Sequence, residues 1–281
     1  GLKKIEIQLQ SMNIPFTVTL GDPAVNIPGF INTNNVSHLI MDFDPLRIKV
    51  EWQNKVCDKI GIPADVVDAH NIIPCFYVTD KEEYAAYTLR PKINKLLPEF
   101  LDEYPPLLKQ QAKIKMQRTH WEAIAISLKT NHQVKPIEWY VPGEKGALAV
   151  FQKFLDESLH KYATGRNDPN AKCTSGLSPY LHFGHISAQR IALEIVRNIP
   201  RNENTDAFLE ELIVRRELAE NFCSYNRQYD SAAAFKPWAR DTLLKHLEDK
   251  RALVYSADQF ELSQTHDDLW NAAQNELVQT G

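Results

Sequence analysis

The sequence predicts an α/β segment with a parallel sheet, followed by an all-α segment. Three observations carry this. Strand-like runs alternate with helical patterns up to about residue 104, the order that builds a parallel sheet with crossover helices. After Pro142-Gly143 the strand-like runs stop and helical periodicity takes over. The length of 281 residues, with 43% hydrophobic and 24% charged, is an ordinary globular balance that favours two domains. The division expected is residues 1–104 for the α/β domain, 105–142 for a connection, and 143–281 for the helical domain.

Taken in order, residues 1–13 read as an amphipathic helix with Leu2, Ile5 and Leu9 on its apolar face. Pro15 to Leu20 is a β-rich run closed by the turn signal Gly21-Asp22-Pro23. A helical stretch to about Asn35 follows, interrupted at Pro28-Gly29. Val36 to Phe43 is the strongest strand pattern. Asp44-Pro45 opens a helix to Ile60, and Ala64 to Ala69 is a further short strand. Three strand–helix units are therefore expected. A helix is expected over Lys92 to Leu101, and Pro105-Pro106 and Pro136 bracket the connection. In the second half, helices are expected over Lys145–Lys161, from the Ser187 cap through Val196, and over Asp206–Asn221, Lys236–Lys250 and Thr265–Val278.

Composition excludes little. Lys and Arg total 32 against 36 Asp and Glu, and a near-neutral sum neither requires nor forbids a nucleic-acid partner. The sequence has no apolar run of membrane-spanning length and no signal-peptide pattern. Cys57, Cys75, Cys173 and Cys223 lack metal spacing and are expected as reduced thiols of an intracellular protein. Neither GxGxxG nor GxxxxGK[ST] occurs. Gly1 is not Met and helical patterns run to both ends, so a fragment is expected.

Four stretches carry polar residues out of pattern. In Thr174–Ser187, Thr174, Ser175, Gly176, Leu177 and Ser178 lead into Pro179, with Ser178 at an expected N-cap. This is either an ordinary capped helix or an anion site, because free N–H groups and the helix dipole favour phosphate there. In Asp206–Asn221, a rotation of about 100° per residue puts Glu211, Arg215, Leu218 and Phe222 on one stripe. Arg216, Glu217 and Glu220 then face outward. Glu211 and Arg215 on an apolar face are either an i,i+4 ion pair or a site. In Tyr162–Pro169, Arg166 and Asn167 are expected on a tight turn after a helix. In Thr265–Trp270, Thr265 is the expected cap and Trp270 a core residue; His266, Asp267 and Asp268 are adjacent and do not face one another, which discounts a metal.

The order of these stretches resembles the photolyase/cryptochrome family. Leu177–Gly184 and Glu210–Leu218 resemble class II cyclobutane pyrimidine dimer photolyases in particular. The other branch has a tryptophan where Val214-Arg215 stands here, with one residue fewer before Glu217.

The resemblance implies an α/β antenna domain followed by an all-α FAD-binding domain, and light-driven repair of pyrimidine dimers by a deoxyribodipyrimidine photo-lyase. It implies that Tyr162 and Thr174, Ser175, Gly176, Leu177 and Ser178 contact FAD, the latter five at its phosphates. It implies that Glu211 hydrogen-bonds the dimer, that Arg166, Asn167 and Arg215 line the lesion pocket, and that Trp270 lies near the flavin. Glu211, on an apolar face, is expected to hold a proton for a pyrimidine carbonyl. The partner implied is UV-damaged DNA, bound by a monomer in the nucleus if the organism is eukaryotic. A folate or deazaflavin antenna is also implied, without residues to assign. The family continues beyond Gly281 with further flavin-facing residues, so the isolated chain is expected to be inactive. The alternatives are a cryptochrome-like light receptor without repair, and an inactive flavin- or DNA-binding module.

Overall fold

Among the described residues the sheet consists of two short parallel strands, β1 (Leu39–Asp42) and β2 (Ala64–Val67), paired in register from Leu39 opposite Ala64 to Asp42 opposite Val67. The computed structural model describes residues 1–111, 117–131 and 136–280. Contacts divide the chain into two compact units, residues 1–129 with 142–229, and residues 130–141 with 230–281.

Before β1 come α1 (Leu2–Ser11) and α2 (Pro23–Asn34). Asp22 caps α2 by accepting from the Ala24 N–H at 2.9 Å. The expected break at Pro28-Gly29 does not occur, because α2 runs through it. Proline has no N–H for the carbonyl four residues back, which is that of Ala24. Lys59 Nζ donates to that carbonyl at 2.9 Å and satisfies it instead.

Pro15–Leu20 is not a strand, because among the described residues no other strand runs beside it to complete a ladder. The three expected strand–helix units therefore reduce to two strands. The α1 face also differs from the pattern: Leu2 and Ile5 are exposed and Glu6 is buried. Glu6 accepts from the Thr119 N–H at 2.9 Å and from Trp121 Nε1 at 2.7 Å, which ties α1 to α6 (Trp121–Ser127).

The crossover from β1 to β2 is α3 (Arg47–Cys57), and after β2 come the single turn α4 (Cys75–Val78) and α5 (Ala86–Phe100). The α5 helix starts six residues earlier than Lys92, the start expected from the sequence.

The first unit continues with α7 (Glu144–Glu157), α8 (Tyr162–Gly165), α9 (Ser178–His182), α10 (Ala188–Asn198) and α11 (Glu203–Leu209). Ser187 caps α10 as expected, accepting from the Arg190 N–H. Ile191, Ala192 and Ile195 are buried, and Val196 is exposed. Asn202 and Thr205 cap α11 reciprocally.

The helix expected over Asp206–Asn221 is three pieces. A π-helical turn, Glu210–Arg215, sits between α11 and α12 (Arg216–Tyr225). A π turn closes i→i+5 rather than i→i+4, so every residue after it is rotated away from its α-helical phase.

The second unit holds α13 (Pro237–Lys245), α14 (Ala257–Glu261) and α15 (Asp268–Thr280). Thr265 does not cap α15; the Asp267 carboxylate accepts from the Leu269 and Trp270 N–H groups at 2.9 and 3.0 Å, while Thr265 pairs with Asn271. Among the described residues no helix is long and apolar enough to cross a membrane.

Candidate functional site

Three stretches of the first unit meet around Arg166. The first is α7, which supplies Phe154, and the second is α8 with the turn behind it. The third is α11 with the π turn. Phe154, Tyr162 and Phe208 pack as an aromatic trio with ring centroids 4.7 to 5.7 Å apart, near the range where tilted and edge-to-face pairs are favourable. Tyr162 is only 8% exposed, so it supports the site from beneath rather than offering an open surface. Burial, and next the negative charge of Glu211, push its hydroxyl above the usual tyrosine range. The Arg166 guanidinium lies 5.9 Å from the Tyr162 ring centroid.

Arg166 Nη1 donates to Glu211 Oε1 at 2.8 Å and more weakly to the Ala207 carbonyl at 3.4 Å. Its Nε is buried without an acceptor. The Glu211 side chain is 42% exposed. The apolar pocket expected around Glu211 is thus replaced by an ion pair with Arg166 at the surface. Asn167 is exposed on the turn beside Arg166.

Glu211 and Arg215 do not pair with each other. Arg215 Nε approaches Glu210 Oε1 at 3.4 Å. Arg90 of α5 forks onto the same carboxylate, Nε to Oε2 at 2.9 Å and Nη2 to Oε1 at 2.7 Å. The Arg90 hydrogen bonds hold the Glu210 carboxyl below the usual range. The π turn is therefore gripped on one side by α5 and presents Glu211 on another.

The Thr174–Ser178 stretch is joined to the Arg166 turn through a close approach. A Cβ added to Gly165 would lie 2.4 Å from Cys173 Sγ, so only glycine lets the two segments touch here. Ser178 is the first residue of α9, not its cap; Ser175 Oγ accepts from the Leu177 N–H at 3.3 Å. Gly176 has φ +65°, in the region that favours glycine. Leu177 is buried, so it anchors the loop while Thr174, Gly176 and Ser178 are exposed.

Trp270 belongs to the second unit, where it is half-exposed and packs edge-on against Phe260 with centroids 5.2 Å apart. A broad cavity of about 1300 Å³ opens between α1, the Phe183–Ser187 turn and α10, and none of the expected site residues lines it. Among the described residues no group of three His, Cys, Asp or Glu side chains is placed to hold a metal ion.

Sequence periodicity missed the most deeply buried carboxylate near the site. Glu217, expected to face outward, is 4% exposed, and Oε1 accepts from the Ile72 and Ile73 N–H groups at 2.8 and 3.3 Å. The available signal was the i,i+4 repeat of Glu217 and Asn221, both buried on one face of α12.

Residues 1–110 match the family model described as DNA photolyase. The whole chain is 39% identical to a protein of Potorous tridactylus named deoxyribodipyrimidine photo-lyase, and the match covers 54% of that protein. It is 43% identical to one of the same name from Arabidopsis thaliana, covering 59% of it. A third of that name, from Methanothermobacter thermautotrophicus, is 35% identical, with 62% covered. The chain thus spans little more than half the length of the relatives it matches. Among solved structures, a Synechocystis cryptochrome aligns over the entire chain and 59% of its own, with a TM-score of 0.73 at 18% identity. A class III photolyase from Agrobacterium tumefaciens aligns over 93% of this chain and 54% of its own, with a TM-score of 0.59 at 17% identity. At such identities these two likenesses speak for the fold alone.

Proposed function

We propose that this chain belongs to the photolyase/cryptochrome family and is the lesion-facing part of a deoxyribodipyrimidine photo-lyase of class II, acting on cyclobutane pyrimidine dimers in UV-damaged DNA. The observation that carries the reading is the cluster of Arg166, Glu211 and Tyr162, gathered from separate stretches onto one side of the π turn. π turns within α-helices are frequent at functional sites. On this reading residues 1–104 form the antenna domain, 105–142 the connection and 143–281 the flavin-binding domain, and the protein works inside the cell where its DNA is.

A dimer flipped from the duplex presents ring N–H donors and a flanking phosphate. The Glu211 carboxylate accepts from a pyrimidine N–H. Arg166, released in part from Glu211, donates to phosphate or to a base carbonyl. Asn167 offers an amide at the same edge, and Arg215 adds positive charge. The fit to FAD rests on the Thr174–Ser178 loop. Its exposed Thr174 and Ser178 and the left-handed Gly176 suit phosphate oxygens, and Leu177 fixes the loop from below. Reduced FAD, when bound, supplies the light-excited electron that opens the cyclobutane ring and takes it back afterwards.

The test uses the complete protein, illuminated with dimer-containing DNA. Glu211→Ala is expected to lower dimer affinity and repair about tenfold or more, the loss of one charge-assisted hydrogen bond. Absence of light-dependent repair by the unaltered protein overturns the enzyme reading and favours a receptor. Full repair by Glu211→Ala overturns the role given to that residue.

A further inference from the structure

The α12 helix is bolted to the loop between β2 and α4 by Arg216, Glu217 and Glu220. Arg216 Nη2 donates to the His70 carbonyl at 2.7 Å, His70 Nε2 pairs with Glu220 at 2.8 Å, and Glu217 takes the Ile72 and Ile73 N–H groups. The loop itself is wound around Asp68, whose carboxylate accepts from the N–H groups of His70, Asn71 and Cys75 and from Asn71 Nδ2, all at 2.9 to 3.1 Å.

Four buried polar atoms in this joint have no partner: the acceptors Glu217 Oε2, Asn71 Oδ1 and Glu220 Oε2, and the donor Arg216 Nη1. Glu217 and Asn71 are the two of these residues that share a cavity, of about 10 Å³, which they line together with Ile73, Cys75, Val78, Leu89 and Asn221. Turning the Asn71 amide over does not help, because its Nδ2 is committed to Asp68. Two acceptor oxygens on residues that line one small cavity repel unless something between them donates. The volume is too small for more than a single water.

We propose that Glu217 stands in mildly acidic solution as the uncharged carboxylic acid, donating its Oε2 proton into this cavity toward Asn71 Oδ1, and that this proton closes the joint between α12 and the β2–α4 loop. The surroundings favour it. Burial raises Glu217 to about 7, against the pull of the two backbone N–H groups and of Arg216, and the Asp68 charge adds to the rise. The charged or titratable groups around it are Asp68 and His70 from the loop, Cys75 from α4, and Arg216 and Glu220 from α12; Val78 and Leu89 from α4 and α5 are apolar.

A carboxyl raised in the folded state binds its proton more tightly there than in the unfolded chain. Its contribution is complete below the unfolded value near 4.5 and is lost as pH rises through about 7. Ionisation puts a second negative charge beside Asp68 and loosens α12. The π turn that carries Glu210, Glu211 and Arg215 leads directly into α12, so the joint makes the placement of that turn sensitive to pH. The inference does not depend on what the turn binds.

The test is thermal unfolding of the complete protein from pH 5 to 9, with Glu217→Gln alongside. The amide keeps the acceptor for Ile72 and Ile73 and donates permanently into the cavity. The variant is expected to match the unaltered protein near pH 5 and to exceed its Tm by roughly 5 °C at pH 8. A variant that follows the unaltered protein at every pH overturns the proposal. Infrared difference spectra of the unaltered protein give an independent reading: a carboxylic acid C=O band that disappears with a midpoint near 7, and is missing from Glu217→Gln, supports the clamp. No such band at pH 6 overturns it.

Discussion

Two glutamates six residues apart on one continuous helical run have opposite fates. Glu211 is 42% exposed and meets one arginine, whereas Glu217 is 4% exposed and meets two backbone N–H groups and a cavity. The π turn between them makes the difference, because it rotates α12 so that Glu217 and Asn221 point at the β2–α4 region while Glu211 stays at the rim. The contrast separates what holds the helix from what is free to work. Asn221 extends the buried side, accepting from the Glu83 N–H at 2.7 Å and donating to the Lys81 carbonyl at 3.1 Å.

The largest effect is expected on that buried side. Glu217→Leu fills the space but leaves the Ile72 and Ile73 N–H groups without an acceptor, at a cost of about 2–5 kcal/mol. Denaturant unfolding of the complete protein checks it. A loss under 1 kcal/mol would mean that Glu217 is not a structural bolt, and the two glutamates would differ only in exposure.

Next comes the seam between the Arg166 turn and the Thr174–Ser178 loop. Gly165→Ala drives a methyl to within 2.4 Å of Cys173 Sγ and is expected to cost about 1–3 kcal/mol, with Cys173→Ala in the same chain recovering part of it. Additive losses in the double variant would show that the two loops are not coupled through this contact.

Much of this was legible in the sequence, and the rest was not for identifiable reasons. β1, β2 and the Ser187 cap follow from local pattern, since alternation and capping act within a few residues. Pro28 suggests a break because its rescue, Lys59 on the Ala24 carbonyl, comes from a distant residue. Arg166 and Glu211 stand out from their own stretches, but their pairing spans 45 positions. Arg90 and Glu210, which grip the π turn, are 120 positions apart. The π turn itself has no signature of propensity or capping, and a stripe drawn at about 100° per residue fails after it.

The smallest stability effect is expected at the site, and it is the sharpest test of the contrast. The Arg166–Glu211 pair has a short 2.8 Å contact, but Glu211 is open to water and Arg166 Nε has no acceptor. Screening offsets the Coulomb gain at such a pair, and the buried Nε carries a desolvation cost that the pair does not return. A double-mutant cycle of Arg166→Ala and Glu211→Ala on stability is therefore expected to give a coupling of about 0–1 kcal/mol. The same variants are expected to weaken binding of dimer-containing DNA markedly, because the groups that a flipped base or phosphate would engage are gone. A coupling above about 2 kcal/mol would place Glu211 with Glu217 among the residues that hold the fold, and the proposed division of labour across the π turn would fail.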